Sequence, residues 1–374
     1  MNKIKILQGN CIDKIKELED NSIDCVVTSP PYWGLRDYGT ASYEGGNPNY
    51  KHTITDGIVD NKNNKLIERP DRASDKKNCV KCGAKRIDKQ LGLEPTYQEH
   101  IQNIVELFRA MKPKLKDSAT VWLNYGDSYA STVNGTKVKD QVKNKVQFAG
   151  KYLIEGDDRT FRDKPFSTIQ GSLKPKDLVM IPNRIAIALQ DDGWWIRSEI
   201  IWHKPNPMPE SVSDRPTSCH EKIWLITKSK KYYYDADAIR EPVAQGTITR
   251  LSEKNLKNQK GSTRGNGGMN SNGNMKPVGN METKNKRNVW TVTTKPFKGS
   301  HFATFPKDLI EPCIKAGCPE GGVVLDPFGG SGTTGIVSAL NNRNAILIEL
   351  NQKYIDIANK RIDKELGLFN KWNT

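Results

Sequence analysis

The residues best suited to chemistry in this sequence follow directly on a short apolar run. Residues 23–27 have the composition of a strand, and they lead into Ser29-Pro30-Pro31-Tyr32. Ser29 offers a hydroxyl, while the two prolines have no backbone N–H, so the Pro30 carbonyl can point into a site without a competing donor. Tyr32 adds a flat aromatic face on which a base can stack. The motif is therefore suited to holding an amino group on a nucleobase.

A second chemical segment lies near the end of the chain, where residues 323–325 form another apolar run. This run leads into the Gly-rich turn Asp326-Pro327-Phe328-Gly329-Gly330-Ser331-Gly332. The glycines let the chain turn sharply and let a ligand come close to the backbone. Glu349 ends the next apolar run. It follows Asp326 at roughly the spacing, about 20 residues, at which an acidic side chain takes ribose hydroxyls in dinucleotide sites.

The Gly-rich turn does not have the pattern of a phosphate-binding loop. It lacks the lysine of such loops. The acidic Asp326 favours a cationic ligand, and a sulfonium that carries an amino group would suit. Taken alone, the turn is also compatible with an ordinary strand–turn–helix, but its pairing with Glu349 and with the first motif favours a ligand site.

The elements that must position these residues alternate along the chain. Apolar strands are separated by amphipathic helices, which predicts an α/β sheet with helices on both faces. Residues 38–90, 130–172 and 241–300 interrupt this rhythm with polar, Gly-rich or Lys-rich sequence. We interpret all three stretches as insertions on one side of a single catalytic sheet rather than as separate domains.

Charge and cysteine usage restrict the partners and the compartment. The 374 residues carry a formal net charge of +15, which favours a polyanionic partner such as nucleic acid over a role in solubility alone. The seven cysteines are an odd, scattered set, typical of reduced thiols in a cytosol. The chain opens without a signal sequence, and no apolar run approaches the ~20 residues of a membrane span. We therefore expect a soluble, cytoplasmic protein with no membrane partner.

With both motifs, the sequence resembles the S-adenosylmethionine-dependent DNA amino-methyltransferases. Residues 326–334 are similar to their cofactor loop, and the Ser-Pro-Pro-Tyr motif is similar to their catalytic loop. Further similarity runs through residues 91–96, 122–129, 202–209 and 302–310. The catalytic loop comes first, which is the circularly permuted motif order of the β class. The resemblance implies a Rossmann-like, doubly wound α/β methyltransferase sheet with loop-rich insertions for DNA recognition.

The resemblance also implies how the chain is organised. Residues 1–240 would form the catalytic half of the methyltransferase domain, residues 241–300 a basic target-recognition insertion, and residues 301–374 the cofactor-binding half of the same domain. Phe305 falls in a segment similar to the family's additional cofactor-contacting segment. The implied cofactor is S-adenosylmethionine, and its implied site comprises Asp326, Pro327, Phe328, Gly329, Gly330, Ser331, Gly332, Glu349 and Phe305.

The implied reaction is site-specific methyl transfer to the exocyclic amine of a flipped-out base in double-stranded DNA. Ser29 and the Pro30 carbonyl would accept hydrogen bonds from the two N–H groups, which would free the nitrogen lone pair for direct in-line attack on the methyl group. No covalent adduct between enzyme and base would form. Tyr32 would stack on the base, and Pro31 completes the catalytic motif. Trp33 is equally compatible with the pocket wall and with the core.

The residue before the prolines carries information about the target base. In this family Ser at that position usually accompanies cytosine N4, whereas Asp or Asn usually accompanies adenine N6. We therefore expect a cytosine-N4 DNA methyltransferase, with an adenine-N6 enzyme as the alternative. A catalytically inactive DNA-binding protein of the same fold is the remote alternative, since fold alone does not determine function. A separate restriction endonuclease and a second copy of the chain are further partners that the resemblance leaves open.

Basic residues of the target-recognition insertion are candidates for DNA contact, some with phosphates and one or two with guanine edges. They are Arg250, Lys254, Lys257, Arg264, Lys286 and Arg287.

A weaker candidate is a metal site. Cys79-x-x-Cys82 looks like half of a structural zinc site, which needs four nitrogen or sulfur ligands. His52 is a third candidate ligand, but Tyr50 stands where relatives often carry a further cysteine. The favoured interpretation is that the two cysteines lie close together in a loop by chance, and the identity of any bound metal stays unknown.

Overall fold

The computed structural model describes residues 3–35, 42–47, 58–60, 65–67, 79, 82–87, 90–131, 167–252, 282–294 and 305–367. The strands are β1 (Ile4–Gln8), β2 (Ile23–Thr28), β3 (Ser42–Glu44), β4 (Ile58–Asp60), β5 (Lys65–Ile67), β6 (Lys85–Ile87), β7 (Leu115–Tyr125), β8 (Trp195–His203), β9 (His220–Thr227), β10 (Glu241–Pro242), β11 (Thr283–Lys284), β12 (Val289–Thr291), β13 (Val323–Asp326) and β14 (Asn344–Glu349). The helices are α1 (Cys11–Lys16), α2 (Tyr97–Met111), α3 (Ile181–Asp191), α4 (Gln245–Ser252), α5 (Lys307–Gly317), α6 (Thr333–Leu340) and α7 (Gln352–Leu366).

Eight of these strands form a central sheet in the order β1-β14-β13-β2-β7-β9-β8-β12. β9 pairs antiparallel with both β7 and β8, and all other neighbours in this sheet pair in parallel. Parallel strands that are covered on both faces are rich in apolar residues, and all six residues of β2 are buried, including Asp24 and Thr28. The mostly parallel sheet confirms the predicted α/β fold.

Helices cover both faces of the sheet, as a doubly wound fold requires. Successive side chains of β2 point to opposite faces, so Val26 packs in one apolar cluster while Cys25 and Val27 pack in another. The first cluster contains residues of α1, α2 and α3, and the second contains residues of α5 and α6. Cys313 and Cys318 are buried in the second cluster, where they act as small apolar side chains.

α2 shows how the sequence begins and ends a helix. The Thr96 hydroxyl accepts a hydrogen bond of 3.2 Å from the Glu99 N–H and caps the helix. Ile104 and Phe108 are fully buried on its inner face, and the helix ends shortly before Pro113. Like the other helices in the described part of the chain, α2 lacks the length and apolar character needed to cross a membrane.

The stretches interpreted as insertions are described only in part. In residues 38–90, β3 pairs antiparallel with β6, and β4 pairs antiparallel with β5. In residues 241–300, β10 pairs with β11 in a separate two-stranded sheet. β12 also belongs to this stretch, yet it pairs in parallel with β8 at the edge of the central sheet. The central sheet therefore extends into the stretch that the sequence assigns to target recognition.

Candidate active site

The two chemical motifs meet at one edge of the central sheet. β2 and β13 are neighbouring parallel strands, so Ser29 and the Gly-rich turn leave the sheet on the same side. Thr28 Oγ1 donates a hydrogen bond of 2.7 Å to Asp326 Oδ1, although 298 positions separate these residues. β14 pairs with the other side of β13 and brings Glu349 to the same edge. In open α/β sheets, ligands bind at this carboxyl edge.

Asp326 organises the Gly-rich turn from a buried position. Oδ1 also accepts a hydrogen bond from the Phe328 N–H at 3.1 Å, and Oδ2 accepts one from Thr334 Oγ1 at 2.6 Å. Burial raises the pKa of the Asp326 carboxyl, and the hydrogen bonds oppose that rise. The turn packs closely on β14, since a Cβ on Gly329 would lie 2.7 Å from Leu347 Cβ. Both carboxylate oxygens of Asp326 therefore serve the protein's own donors.

Glu349 presents a second carboxylate beside this turn. Oε2 accepts a hydrogen bond of 3.0 Å from the Gly330 N–H, and Oε1 accepts one of 2.8 Å from the Asn351 N–H. Burial raises the pKa of the Glu349 carboxyl, and the backbone hydrogen bonds oppose that rise. A carboxylate has about four lone-pair sites. Each oxygen of Glu349 thus keeps acceptor capacity for a ligand hydroxyl.

A cavity joins the Ser29 loop to the Gly-rich turn. Its empty volume is about 1020 Å³, part of it open to solvent, which is the scale of a small-ligand site. The predicted site residues that line it are Ser29, Pro31, Phe305, Asp326, Pro327, Phe328, Gly329, Gly330, Ser331 and Glu349. Pro30, Tyr32 and Gly332 are not lining residues. Pro30 is buried, and Gly332 takes the left-handed conformation at the start of α6, with a φ of 81°.

The cavity also contains residues that the sequence analysis missed. Among them are Gly9, Asn10, Cys11, Gln90, Leu91 and Tyr354. β1 pairs with β14, so the turn after β1 reaches the same edge of the sheet. The Gly9 N–H donates a hydrogen bond of 3.0 Å to the Glu349 carbonyl, and the Asn10 side chain caps α1. A strand followed by glycine and a helix cap is a local signal that could have identified this turn.

The lining of the cavity fits a cofactor that carries a nucleoside. Glu349 supplies acceptors for neighbouring hydroxyls, while Phe328, Ile348 and Leu350 supply apolar surface for a flat ring. Gly330 leaves the backbone open to close approach. No Lys, Arg or His among the described residues lines the cavity, so it is a poor site for a free phosphate. A nucleoside with a neutral or positively charged substituent suits this set of groups.

The Ser29 hydroxyl is linked to a carboxylate through Tyr32. Ser29 Oγ donates a hydrogen bond of 3.2 Å to Tyr32 Oη, which in turn donates one of 2.8 Å to Glu221 Oε2. Burial and the neighbouring charge of Glu221 raise the pKa of the Tyr32 phenol well above its ordinary value. The ring of Tyr32 packs on that of Tyr125, with centroids 4.5 Å apart and planes inclined by 30°. Base stacking by Tyr32 stays a prediction.

A buried hydrogen-bond network supports the backbone of the same loop. His100 Nδ1 lies 2.8 Å from Glu94 Oε2, and His100 Nε2 lies 2.6 Å from Tyr125 Oη. Tyr125 Oη also accepts from the Trp33 N–H at 2.9 Å and donates to the Pro31 carbonyl at 3.3 Å. Burial by itself would raise the pKa of Glu94, but the hydrogen bond and charge of His100 hold it below its usual range. Trp33 is 1 % exposed and belongs to the core.

The predicted DNA contacts are described only in part. The structure does not describe Lys254, Lys257 or Arg264, and it describes the backbone but not the side chain of Arg250 in α4. Lys286 Nζ lies 5.1 Å from the centroid of the Trp290 ring. Arg287 Nε donates a hydrogen bond of 2.8 Å to Glu241 Oε1. DNA contact by these basic residues stays a prediction.

The structure describes two of the three candidate metal ligands. Cys79 is buried and Cys82 is half-buried, while His52 lies outside the described residues. Within the described ranges, no group of three or more His, Cys, Asp or Glu side chains could hold a metal ion. Zinc binding stays a hypothesis that rests on the Cys-x-x-Cys spacing.

Comparison with known proteins identifies the family. A family model described as DNA methylase of the N6/N4 type matches residues 23–360. The type II methyltransferase M.Cfr9I of Citrobacter freundii is 38% identical over 365 residues, covering 98% of this chain and 89% of that protein. M.SmaI of Serratia marcescens is 38% identical over 358 residues, covering 96% of this chain and 90% of that protein.

Solved structures share the fold at low sequence identity. The PvuII DNA methyltransferase, described as cytosine-N4-specific, superposes with a TM-score of 0.52 at 14% identity over 96% of this chain and 86% of that one. The Thermus thermophilus protein TTHA0409, complexed with S-adenosyl-L-methionine, gives a TM-score of 0.50 at 16% identity over 99% of this chain and 98% of that one. These matches support the fold, and the sequence matches over nearly the whole length go further: the chain belongs to the N6/N4 family of DNA methylases.

Proposed function

We propose that this DNA methyltransferase transfers a methyl group from S-adenosylmethionine to N4 of cytosine in double-stranded DNA. The observation that carries the proposal is a cavity lined by both Ser29 and Glu349. The lining of this cavity includes both the carboxylate that a nucleoside cofactor needs and the hydroxyl that an amino group needs. The two reactants can therefore meet in one site.

The cofactor half of the cavity would hold S-adenosylmethionine by its nucleoside. Glu349 would accept hydrogen bonds from the ribose hydroxyls, and the apolar surface of Phe328 and Ile348 would cover the adenine. Asp326 would act indirectly, by holding the Gly-rich turn in shape through Thr28 and Thr334. When bound, the cofactor supplies an electrophilic methyl group on its sulfonium.

The catalytic half would hold the amino group of a flipped-out base. Ser29 Oγ and the Pro30 carbonyl would accept hydrogen bonds from its two N–H groups, which turns the nitrogen lone pair away from the ring and towards the methyl group. The N–C bond would form as the S–C bond breaks, so the sulfur would leave as a neutral thioether and the nitrogen would then release one proton. A covalent route through a thiol is disfavoured. Cys11 lines the cavity, but burial raises the pKa of its thiol to about 12, so it stays protonated near neutral pH.

The choice of cytosine N4 rests on Ser29. A neutral hydroxyl before the prolines suits the cytosine amino group, and the similarly folded PvuII enzyme is described as cytosine-N4-specific. The formal net charge of +15 supports duplex DNA as the substrate, because phosphate neutralisation releases counterions. Adenine N6 is the second candidate for the target, within the same fold and the same mechanism.

The test is incubation with DNA and methyl-labelled S-adenosylmethionine, followed by nucleoside digestion and mass spectrometry. We expect label in N4-methylcytosine. Label in N6-methyladenine would overturn the choice of base while keeping the mechanism. Ser29→Ala is the matched control, and we expect it to lose methylation by roughly 100-fold or more, as for removal of one oriented polar group at a reacting centre. Cofactor affinity of this variant, measured by calorimetry, should stay within about twofold of the unmodified protein.

A further inference from the structure

The hydrogen of the Ser29 hydroxyl is directed away from the cavity by a chain of hydrogen bonds. Ser29 Oγ donates to Tyr32 Oη at 3.2 Å, and Tyr32 Oη donates to Glu221 Oε2 at 2.8 Å. Each hydroxyl has one hydrogen to give, whereas an ionised carboxylate can only accept. The carboxylate at the end of the chain therefore sets the direction of both hydrogen bonds.

The side-chain oxygens of Glu221 are contacted by donors from the two strands that flank β9. It lies on β9, and its side chain is only 17% exposed. Lys204 Nζ, just after β8, forms an ion pair with Oε1. Asn124 Nδ2, on β7, donates a hydrogen bond of 3.1 Å to Oε2. With an ammonium group on one oxygen and an amide N–H on the other, both oxygens of Glu221 act as hydrogen-bond acceptors.

Gly126 makes room for this chain of groups. A Cβ on Gly126 would lie 2.7 Å from Tyr32 Cε2 and 3.3 Å from Glu221 Cδ. Real Cβ atoms do not show the shorter distance, so any larger residue would require the Tyr32 ring or the backbone at position 126 to shift. The backbone just after β7 is thus fitted to the contact between the phenol and the carboxylate.

We propose that Glu221 is a positioning residue which, through Tyr32, fixes the Ser29 hydroxyl as a hydrogen-bond acceptor for the target amino group. This inference rests on the proposed function. A serine hydroxyl that is free to rotate can also donate, and donation to the amine nitrogen would occupy the lone pair that must attack. With its hydrogen committed to Tyr32, Ser29 presents only lone pairs to the substrate. The chain thus orients a group before the reaction and does not itself react.

The test is a double-mutant cycle on Glu221 and Tyr32. Glu221→Gln, Tyr32→Phe and the double variant would be compared by single-turnover methyl transfer at saturating DNA and S-adenosylmethionine. We expect Glu221→Gln to slow transfer by about tenfold or more, with cofactor affinity changed by less than about twofold. In the Tyr32→Phe background, which lacks the linking hydroxyl, the same substitution should cost less than about twofold. Equal losses in both backgrounds would overturn the proposal.

Glu199→Gln is the matched control for loss of an ion-paired glutamate. Glu199 lies on the neighbouring strand β8, pairs with Lys222 at 2.6 Å and has no hydrogen bond to Tyr32. We expect it to keep the full transfer rate, and a loss equal to that of Glu221→Gln would overturn the specific role. Thermal unfolding of every variant separates misfolding from slow transfer. If Glu221→Gln does not fold, Glu221→Asp takes its place because it keeps the charge. Its effect on the transfer rate is then compared between the unmodified protein and the Tyr32→Phe background, with the same criterion.

Failure of this inference can be told apart from failure of the proposed function. If Ser29→Ala keeps full activity, the assignment of Ser29 is wrong, whatever Glu221 does. If Ser29→Ala is inactive while the cycle shows no coupling between Glu221 and Tyr32, the role of Ser29 as hydrogen-bond acceptor for the amino group stands. The proposed role of Glu221 is then wrong.

Discussion

Glu349 and Asp326 carry similar charges at neighbouring strand ends, yet their roles differ. The Asp326 carboxylate is 2% exposed and is occupied by Thr28, Thr334 and the Phe328 N–H. Glu349 accepts only backbone hydrogen bonds among those found and keeps acceptor capacity towards the cavity. Residue type and spacing alone assign both to the cofactor. Their hydrogen bonds make Asp326 a support for the turn and leave Glu349 as the proposed ligand of the cofactor.

We expect Glu349→Gln to weaken S-adenosylmethionine binding and to change its pH dependence. An amide accepts through one oxygen only, so affinity should fall by about tenfold. Burial raises the pKa of Glu349 above the ordinary 4.5. Because the ionised form accepts the ribose hydroxyls, affinity of the unmodified protein should fall as pH drops through this raised pKa.

Calorimetric titrations between neutral and mildly acidic pH measure both effects. The Glu349→Gln variant should show a flatter pH dependence over this range, since it has no carboxyl to protonate at that position. Equal affinity of the variant and the unmodified protein at neutral pH would contradict the assignment of Glu349.

At the scale of elements, β7 and α2 together support the loop that contains Ser29. Tyr125 lies at the end of β7 and His100 in the first turns of α2, and both are fully buried. The Tyr125 hydroxyl bonds the Pro31 carbonyl and the Trp33 N–H, two backbone groups of the loop that follows β2, and His100 Nε2 contacts this hydroxyl in turn. Proline leaves this loop with few donors of its own, so its conformation depends on such partners.

We expect Tyr125→Phe to lower the free energy of unfolding by about 2 kcal/mol and to slow methyl transfer. The change leaves the Trp33 N–H and a His100 ring nitrogen buried without this partner, and each such loss costs roughly 1–3 kcal/mol. Urea denaturation measures the stability. Tyr234→Phe is the control, because Tyr234 is 43% exposed and stacks on Trp122. It should stay within about 0.5 kcal/mol of the unmodified protein. A Tyr125→Phe protein of unchanged stability would contradict the role of the network.

At the scale of the whole molecule, net charge governs the encounter with DNA. The chain has 58 Lys and Arg against 43 Asp and Glu. This excess creates a long-range attraction to the duplex that does not depend on any single contact. The cavity itself has no basic side chain among its described lining residues, so the attraction comes from surfaces outside it.

We therefore expect DNA affinity to fall steeply with salt. If the protein neutralises about six phosphates, the logarithm of the association constant should fall with a slope of roughly −5 against the logarithm of salt concentration. Fluorescence anisotropy with a labelled duplex measures this slope. Ser29→Ala should give the same slope, because that side chain faces the cavity and carries no charge. A slope near zero would contradict binding through phosphates.

The sequence by itself determined those features that local rules encode. Alternation of apolar strands and amphipathic helices predicts the α/β sheet, because each period buries one face of one element. Proline and glycine restrict or free the backbone at their own positions, so the Ser-Pro-Pro-Tyr motif and the Gly-rich turn are recognisable as loops at strand ends. The resemblance built on these two segments correctly identified the methyltransferase family.

Only the tertiary structure decided which distant residues share a site. The contacts of Thr28 with Asp326, of Tyr32 with Glu221 and of Tyr125 with Trp33 span 298, 189 and 92 positions along the chain. No local pattern specifies such pairs, because strand order in a parallel sheet is set by packing across many elements. For the same reason the structure, and not composition, placed Trp33 in the core and β12 in the central sheet. Local chemistry is thus readable from neighbouring residues, whereas the orientation of Ser29 depends on a carboxylate that only the folded sheet brings near.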